Sequence, residues 1–228
     1  MRFPRLFGWS SLLFAVATLA AGALAQPPIA DKEYKLINPP QRTETGKKIE
    51  VIEFFSYACP HCADFEPFLQ DWLKRKPKDV EYRMVPMVFR ESWKPLAKLY
   101  FTLEQMALVD KYHMKVYDAL HKQNQQLFTD QAVMDWVLKQ GIDKAKFEQT
   151  YHSFGIDTKV QRAAAMGRAY GVQFTPSLAV NGKYWTGPSM VMGPNGGLDI
   201  PRFFEVVDRL VAMERGKPAA AGGTKEKS

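Results

Sequence analysis

The chain has 228 residues, of which 46% are hydrophobic; 31 lysines and arginines face 24 acids, a net charge of +7. That balance excludes disordered, collagen-like and disulfide-dense miniprotein classes, and the length suffices for one or two domains with a real apolar core. Cationic side chains are scattered among acids, so nothing supports nucleic-acid binding, and the two cysteines, Cys59 and Cys62, are not needed as staples.

Arg2 and Arg5 precede an apolar run from Leu12 to Leu24 that ends in Ala23-Leu24-Ala25. This reads as a secretory signal peptide over residues 1–25, cleaved near Ala25, because the run is too short and too interrupted for a retained anchor. Its removal takes away two arginines and no acid, leaving 203 residues and lowering the net charge from +7 to +5. Export places the cysteine pair in an oxidising compartment.

Ile49 to Tyr57 and Val80 to Val88 are β-branched and aromatic runs of strand length. Between them Phe65, Phe68, Leu69, Trp72 and Leu73 fall on one helical stripe, with Pro60 suited to the first helical position. From about Trp93 to Phe154 the periodicity is helical throughout. Phe128, Thr129 and Val133 suggest a staple around an N-cap, and Gly141 suggests a C-terminal cap. A further helix is expected from about Asp157 to Tyr170, closed by Gly171. Ser177 to Val180, Asn181-Gly182 and Lys183 to Trp185 then form a hairpin signal, since Asn-Gly takes the positive φ of a type I′ turn. Phe203, Val206, Val207, Leu210 and Val211 make a last amphipathic helix.

The expected plan is α/β: a sheet-forming domain in two parts, 26–90 and 157–215, interrupted by an all-helical insertion over 91–156, with a disordered tail over 216–228. The chemistry is expected where Cys59 sits, just after a strand and just before a helix.

Cys59-Pro60-His61-Cys62 places two thiols one helical turn apart, the first at the helix N-terminus. The unpaired N–H groups and partial positive charge there favour a thiolate, so the Cys59 pKa should fall below ~8.5, and His61 adds to the effect when protonated or donating a hydrogen bond. Stabilising the thiolate stabilises the reduced pair and makes the disulfide oxidising. The competing readings are an inert structural disulfide, which usually closes a longer loop, and a metal site, for which His113, His121 and His152 show no ligand-pair spacing. Position 63 is Ala, which rules out haem attachment.

Two further features carry weight beside the cysteines. Thr175-Pro176 precedes a strand; a cis bond there would turn the Thr175 backbone outward to pair with an extended peptide, while a trans proline would simply open the strand. Glu53 lies six residues before Cys59 in an otherwise apolar strand, where burial would raise its pKa and let it exchange protons with Cys62; the alternative is a solvated acid at an edge. Glu66 and the remaining histidines read as core or surface.

Glu53 to Cys62 with Phe65-Glu66, and Gly171 to Pro176 leading into Val180 to Tyr184, resemble the DsbA family of bacterial periplasmic thiol:disulfide oxidoreductases over most of the mature chain. The resemblance implies a thioredoxin fold with an inserted helical domain and a protein dithiol oxidase. It further implies Cys59 as the nucleophilic cysteine, Cys62 as its buried partner, Pro176 as a cis-proline and Glu53 as a buried acid. It implies no cofactor beyond a Cys59-Cys62 disulfide, reduced unfolded exported proteins as substrates, re-oxidation by a DsbB-like quinone-linked inner-membrane oxidase, and a monomer in the periplasm. Two departures stand out: Thr175 replaces the Val of the best-known members, and Arg83 is the only basic residue of the second strand to serve as a partner for Glu53. A disulfide isomerase or reductase of the same fold, and a thiol-inert peptide-binding module, are the alternatives; only about 25 residues separate Ala25 from the first core strand, too few for the dimerisation domain of related isomerases.

Overall fold

The computed structural model describes residues 27–215, so the expected signal peptide and C-terminal tail lie outside the described residues. Five strands form one sheet in the order β1-β5-β4-β2-β3: β1 (Lys35–Leu36), β2 (Ile49–Phe55), β3 (Val80–Pro86), β4 (Ser177–Val180) and β5 (Tyr184–Thr186). β2 and β3 are parallel and the other pairs antiparallel. The parallel pair needs a crossover, supplied by α1 (Pro60–Arg75).

Alternation along the strands sorts the core onto two faces. Val51, Leu178 and Val180 meet Phe65, Leu69 and Trp72 of α1 and Phe203, Val207 and Leu210 of α7 (Ile200–Glu214). Their neighbours Ile52, Phe54, Ala179 and Trp185 join the opposite core with Val160, Ala163 and Tyr170. That second core runs on into α2 (Lys94–Gln105), α3 (Val109–Tyr117), α4 (Asp130–Lys139), α5 (Lys144–Tyr151) and α6 (Phe154–Ala169). Such a helical block interrupting an α/β sheet is the fold expected from the periodicities.

Local signals hold where a short-range physical reason fixes them. Asn181 and Gly182 take φ of 50° and 65°, and Lys183 N donates to Val180 O at 3.0 Å, closing the hairpin. A Cβ at Gly182 would come within 2.1 Å of the Gln41 carbonyl oxygen, so close approach as well as conformation demands glycine there. The Thr129 hydroxyl accepts from Ala132 N at 3.2 Å at the start of α4. The structure departs from expectation at three edges. β2 ends at Phe55 because residues 57 and 58 already turn toward α1, and β3 ends at Pro86, which has no N–H for the ladder. α6 begins at Phe154 rather than near Asp157, because Ser153 caps it by accepting from Ile156 N, so it runs across the 156/157 position. β1 is too short to show a period and was not anticipated. Among the described residues no helix is long and apolar enough to cross a membrane.

Candidate active site

Cys59 is the N-cap of α1, with extended backbone at φ −93° and ψ 113°, and Pro60 occupies the first turn, where a missing N–H leaves no bond unmade. Three residues on, Cys62 lies on the inner side of the same turn. Both cysteines are free thiols here. Cys59 retains 8% of its surface and Cys62 none.

Their environments push them apart. The Cys59 pKa falls to about 5, chiefly because the Cys62 side chain hydrogen-bonds its sulfur. Burial opposes this, while the Thr175 side chain and the backbone N–H groups of Cys62 and His61 reinforce it. Cys62 moves the other way: burial, then its hydrogen bond to Cys59 and the proximity of Cys59 and Glu53, push its thiol well above the ordinary range. The first sulfur is an anion at neutral pH and the second a thiol.

The Thr175-Pro176 bond is cis, and Cys59 Sγ faces the Thr175 carbonyl oxygen at 3.3 Å. The loop before β4 is thus brought against the N-terminus of α1 from 116 residues away in sequence. Beside this contact lies a groove of about 370 Å³ whose lining includes His61, Phe68, Phe174, Pro176, Leu198 and Ile200. Phe68, expected on the buried stripe of α1, is 48% exposed and forms part of its wall. His61 is exposed there, and it acts on Cys59 through its backbone N–H.

Behind Cys62 the site is closed. Glu53 is fully buried in β2, and the Tyr82 hydroxyl donates to its Oε2. Desolvation, then repulsion from Glu66, raise the Glu53 pKa to about 8 against the opposing Tyr82 hydrogen bond. Arg83 does not reach it. The guanidinium pairs instead with Glu50 at 2.9 Å and Glu44 at 2.8 Å, so the partner of Glu53 is a phenol and not a cation.

The helical block contributes residues that the sequence did not single out. His113 and His121 look dispersed in the sequence, yet both converge on Tyr57 in the turn before Cys59. His113 Nδ1 lies 2.9 Å from the Tyr57 hydroxyl, and His121 Nε2 lies 2.8 Å from its carbonyl oxygen. α3 widens into a π-helical turn over Asp118–Lys122, which carries His121. Glu66, 1% exposed on α1, has Oε2 3.4 Å from His113 Nε2. The i, i+4 spacing of Cys62 and Glu66 was the available signal, since it puts both on one side of α1. His152 stays apart, packed edge-on to Tyr151. Among the described residues no group of three or more His, Cys, Asp or Glu side chains is placed to hold a metal ion.

The family model described as Thioredoxin matches residues 45–193. The thiol:disulfide interchange protein DsbA of Bordetella parapertussis is 41% identical over 217 residues, which cover 93% of this chain and 97% of that protein. DsbA of Pseudomonas aeruginosa is 33% identical over 206 residues, covering 90% and 95%. The crystal structure of Pseudomonas aeruginosa DsbA superposes with a TM-score of 0.76 at 34% identity, over 82% of this chain and 95% of that one. These relatives are matched along nearly their whole length, in sequence and in architecture. The chain therefore belongs to the DsbA family of thiol:disulfide interchange proteins, protein dithiol oxidases on a thioredoxin fold.

Proposed function

We propose that the protein donates a Cys59-Cys62 disulfide to reduced, unfolded exported proteins in the periplasm, and that a DsbB-like quinone-linked oxidase of the inner membrane restores it. A substrate thiolate attacks Cys59 Sγ; a mixed disulfide forms as the Cys59-Cys62 bond breaks, and Cys62 leaves with the electron pair. A second substrate thiolate attacks the substrate sulfur of the mixed disulfide, so the substrate departs oxidised and Cys59 departs as a stabilised thiolate. Thr175 and Pro176 hold the substrate backbone beside Cys59, Pro60 and His61 shape the first turn, and Glu53 supplies the proton that Cys62 takes. The redox pair needs no cofactor, and one copy of the chain holds every group the cycle uses.

In this reading residues 1–25 are a signal peptide removed near Ala25. Residues 26–90 and 157–215 are the two parts of the thioredoxin-like domain, 91–156 the helical insertion and 216–228 a tail. The observation that carries the proposal is the opposite displacement of two thiols on one helical turn, Cys59 down to about 5 and Cys62 up. A low leaving-group pKa makes Cys59 the better sulfur to release and makes the disulfide the less favoured state.

The test incubates oxidised protein with a reduced, unfolded multi-cysteine substrate and titrates the Cys59 thiolate by its ultraviolet absorbance. Stoichiometric disulfide formation with a midpoint well below that of free cysteine is expected. A normal midpoint with rapid reshuffling of scrambled disulfides would make the protein an isomerase, and absence of exchange would make it a binding module.

A further inference from the structure

Glu53 and Glu66 are both buried and repel one another, and among the described residues the one basic side chain that reaches either is His113. The contact has two loose ends that fit each other. Glu66 Oε2 and His113 Nε2 are fully buried, lie 3.4 Å apart and have no hydrogen-bond partner, while Glu66 Oε1 accepts from Gln70 Nε2 at 2.6 Å. Buried polar atoms without partners are costly unless they serve each other. The other polar groups around the histidine are phenols and the second acid: Tyr57 from the turn before α1, Tyr117 one turn along α3, Tyr100 from α2 beyond Tyr57, and Glu53 with its Tyr82 from the sheet. None of them can balance a buried negative charge, and an imidazolium can.

We propose that His113 is a positioning residue for the proton that Cys62 takes: by pairing with Glu66 it keeps the negative charge on that carboxylate and leaves Glu53 as the protonated member of the acid pair. This rests on the reading of Glu53 as the proton donor to Cys62. Two buried carboxyls that repel one another do not both ionise readily, so whichever one is given a cation becomes the anion and the other keeps the proton. When the Cys59-Cys62 bond breaks, Cys62 leaves with the electron pair, the Glu53 proton passes to its sulfur and Glu53 becomes the carboxylate. When Cys62 later attacks to reform the disulfide, the proton returns to Glu53. Without that pairing the single proton is shared between the two carboxyls, and Glu53 holds it for only part of the time.

The experiment follows reduction of the oxidised mature protein by dithiothreitol in a stopped-flow instrument across pH, for the wild type, Glu53→Gln, His113→Gln, Glu66→Gln and the His113→Gln/Glu66→Gln double variant. Glu53→Gln is expected to slow reduction by roughly a hundredfold, the low end for loss of a general acid. His113→Gln keeps a hydrogen-bonding group for Tyr57 but no charge, and is expected to slow it by about tenfold, the equivalent of one pKa unit. The double variant should recover most of that loss, because with Glu66 no longer ionisable the proton belongs to Glu53 again; a merely structural role for His113 would make the two losses multiply. A flat effect of His113→Gln, or multiplied losses, overturns the inference while a slow Glu53→Gln leaves the donor reading standing; an unaffected Glu53→Gln removes both. Carboxyl carbon resonances of the glutamate-labelled wild type decide the matter without any variant. Near pH 6, Glu53 should be protonated and Glu66 ionised, and the reverse assignment sinks the proposal.

Discussion

The two faces of the first turn of α1 handle the same chemical group in opposite ways. On the outer face, beside the groove, Cys59 meets the Cys62 side chain, Thr175 and helix N–H groups, and its thiol falls to about 5. On the inner face, Cys62 meets a closed acid cluster and rises. Only two residues separate them, so the helix field alone cannot account for the split; the hydrogen bond between the two sulfurs and the desolvation of Cys62 do, with the Glu53 carboxyl adding to the rise. An oxidant needs both halves, an anion that leaves easily and a buried thiol that holds its proton.

The severest way to break the comparison is to remove one sulfur at a time. Cys59→Ser should abolish disulfide donation and mixed-disulfide formation together. Cys62→Ser should also abolish donation but leave Cys59 able to form long-lived mixed disulfides, since no internal thiol remains to resolve them. Non-reducing electrophoresis after exposure to a client protein checks both, and trapping of equal amounts by the two variants would erase the asymmetry.

A smaller effect sharpens it through pH. The Cys59 pKa is depressed in the folded reduced protein, so its stabilisation is complete above the unfolded value of ~8.5, is lost as pH falls toward about 5 and is absent below that. The stability of the reduced form minus that of the oxidised form should therefore grow by about 1.4 kcal/mol per pH unit across this window. Glu53, raised to about 8, works with the opposite sign between its ordinary range and that value, so the same pair of forms in a Glu53→Gln background isolates the Cys59 slope. Paired denaturant titrations of the two forms at several pH values measure the slope, and a flat difference would mean that Cys59 is not a thiolate at neutral pH.

The mildest change separates ring from backbone at position 61. His61→Pro deletes the N–H that bonds Cys59 while remaining in the first helical turn, where proline is tolerated. It should raise the Cys59 pKa by roughly one unit, which corresponds to ~30 mV toward a less oxidising couple. His61→Ala, which keeps the N–H, should move it less. Equilibration with glutathione reads the potential, and equal shifts in both variants would assign the effect to the ring.

Much of this was legible in local order. The strand before Cys59, Pro60 at the start of the helix, the Asn181-Gly182 turn and the Thr129 cap each follow from interactions within a few residues, so their sequence signals are strong. The inner face was not legible. Glu66 and His113 are 47 residues apart and on different helices, and nothing near either one distinguishes a buried partner from a solvated side chain. Arg83 shows the same limit from the other side: it is the one basic residue of its strand, and it turns to Glu50 and Glu44.

The order of residues by itself determined a thiol pair at a helix N-terminus, an α/β chain with a helical interruption, and the direction in which Cys59 would shift, because spacing and helix-end electrostatics act over one turn. Only the tertiary structure decided that Thr175 would close on Cys59 and that a tyrosine would serve Glu53. It also decided that two histidines of the helical block would meet at Tyr57. Burial and charge pairing depend on which distant segments exclude water together, and that is a property of the packed chain and not of any stretch of it.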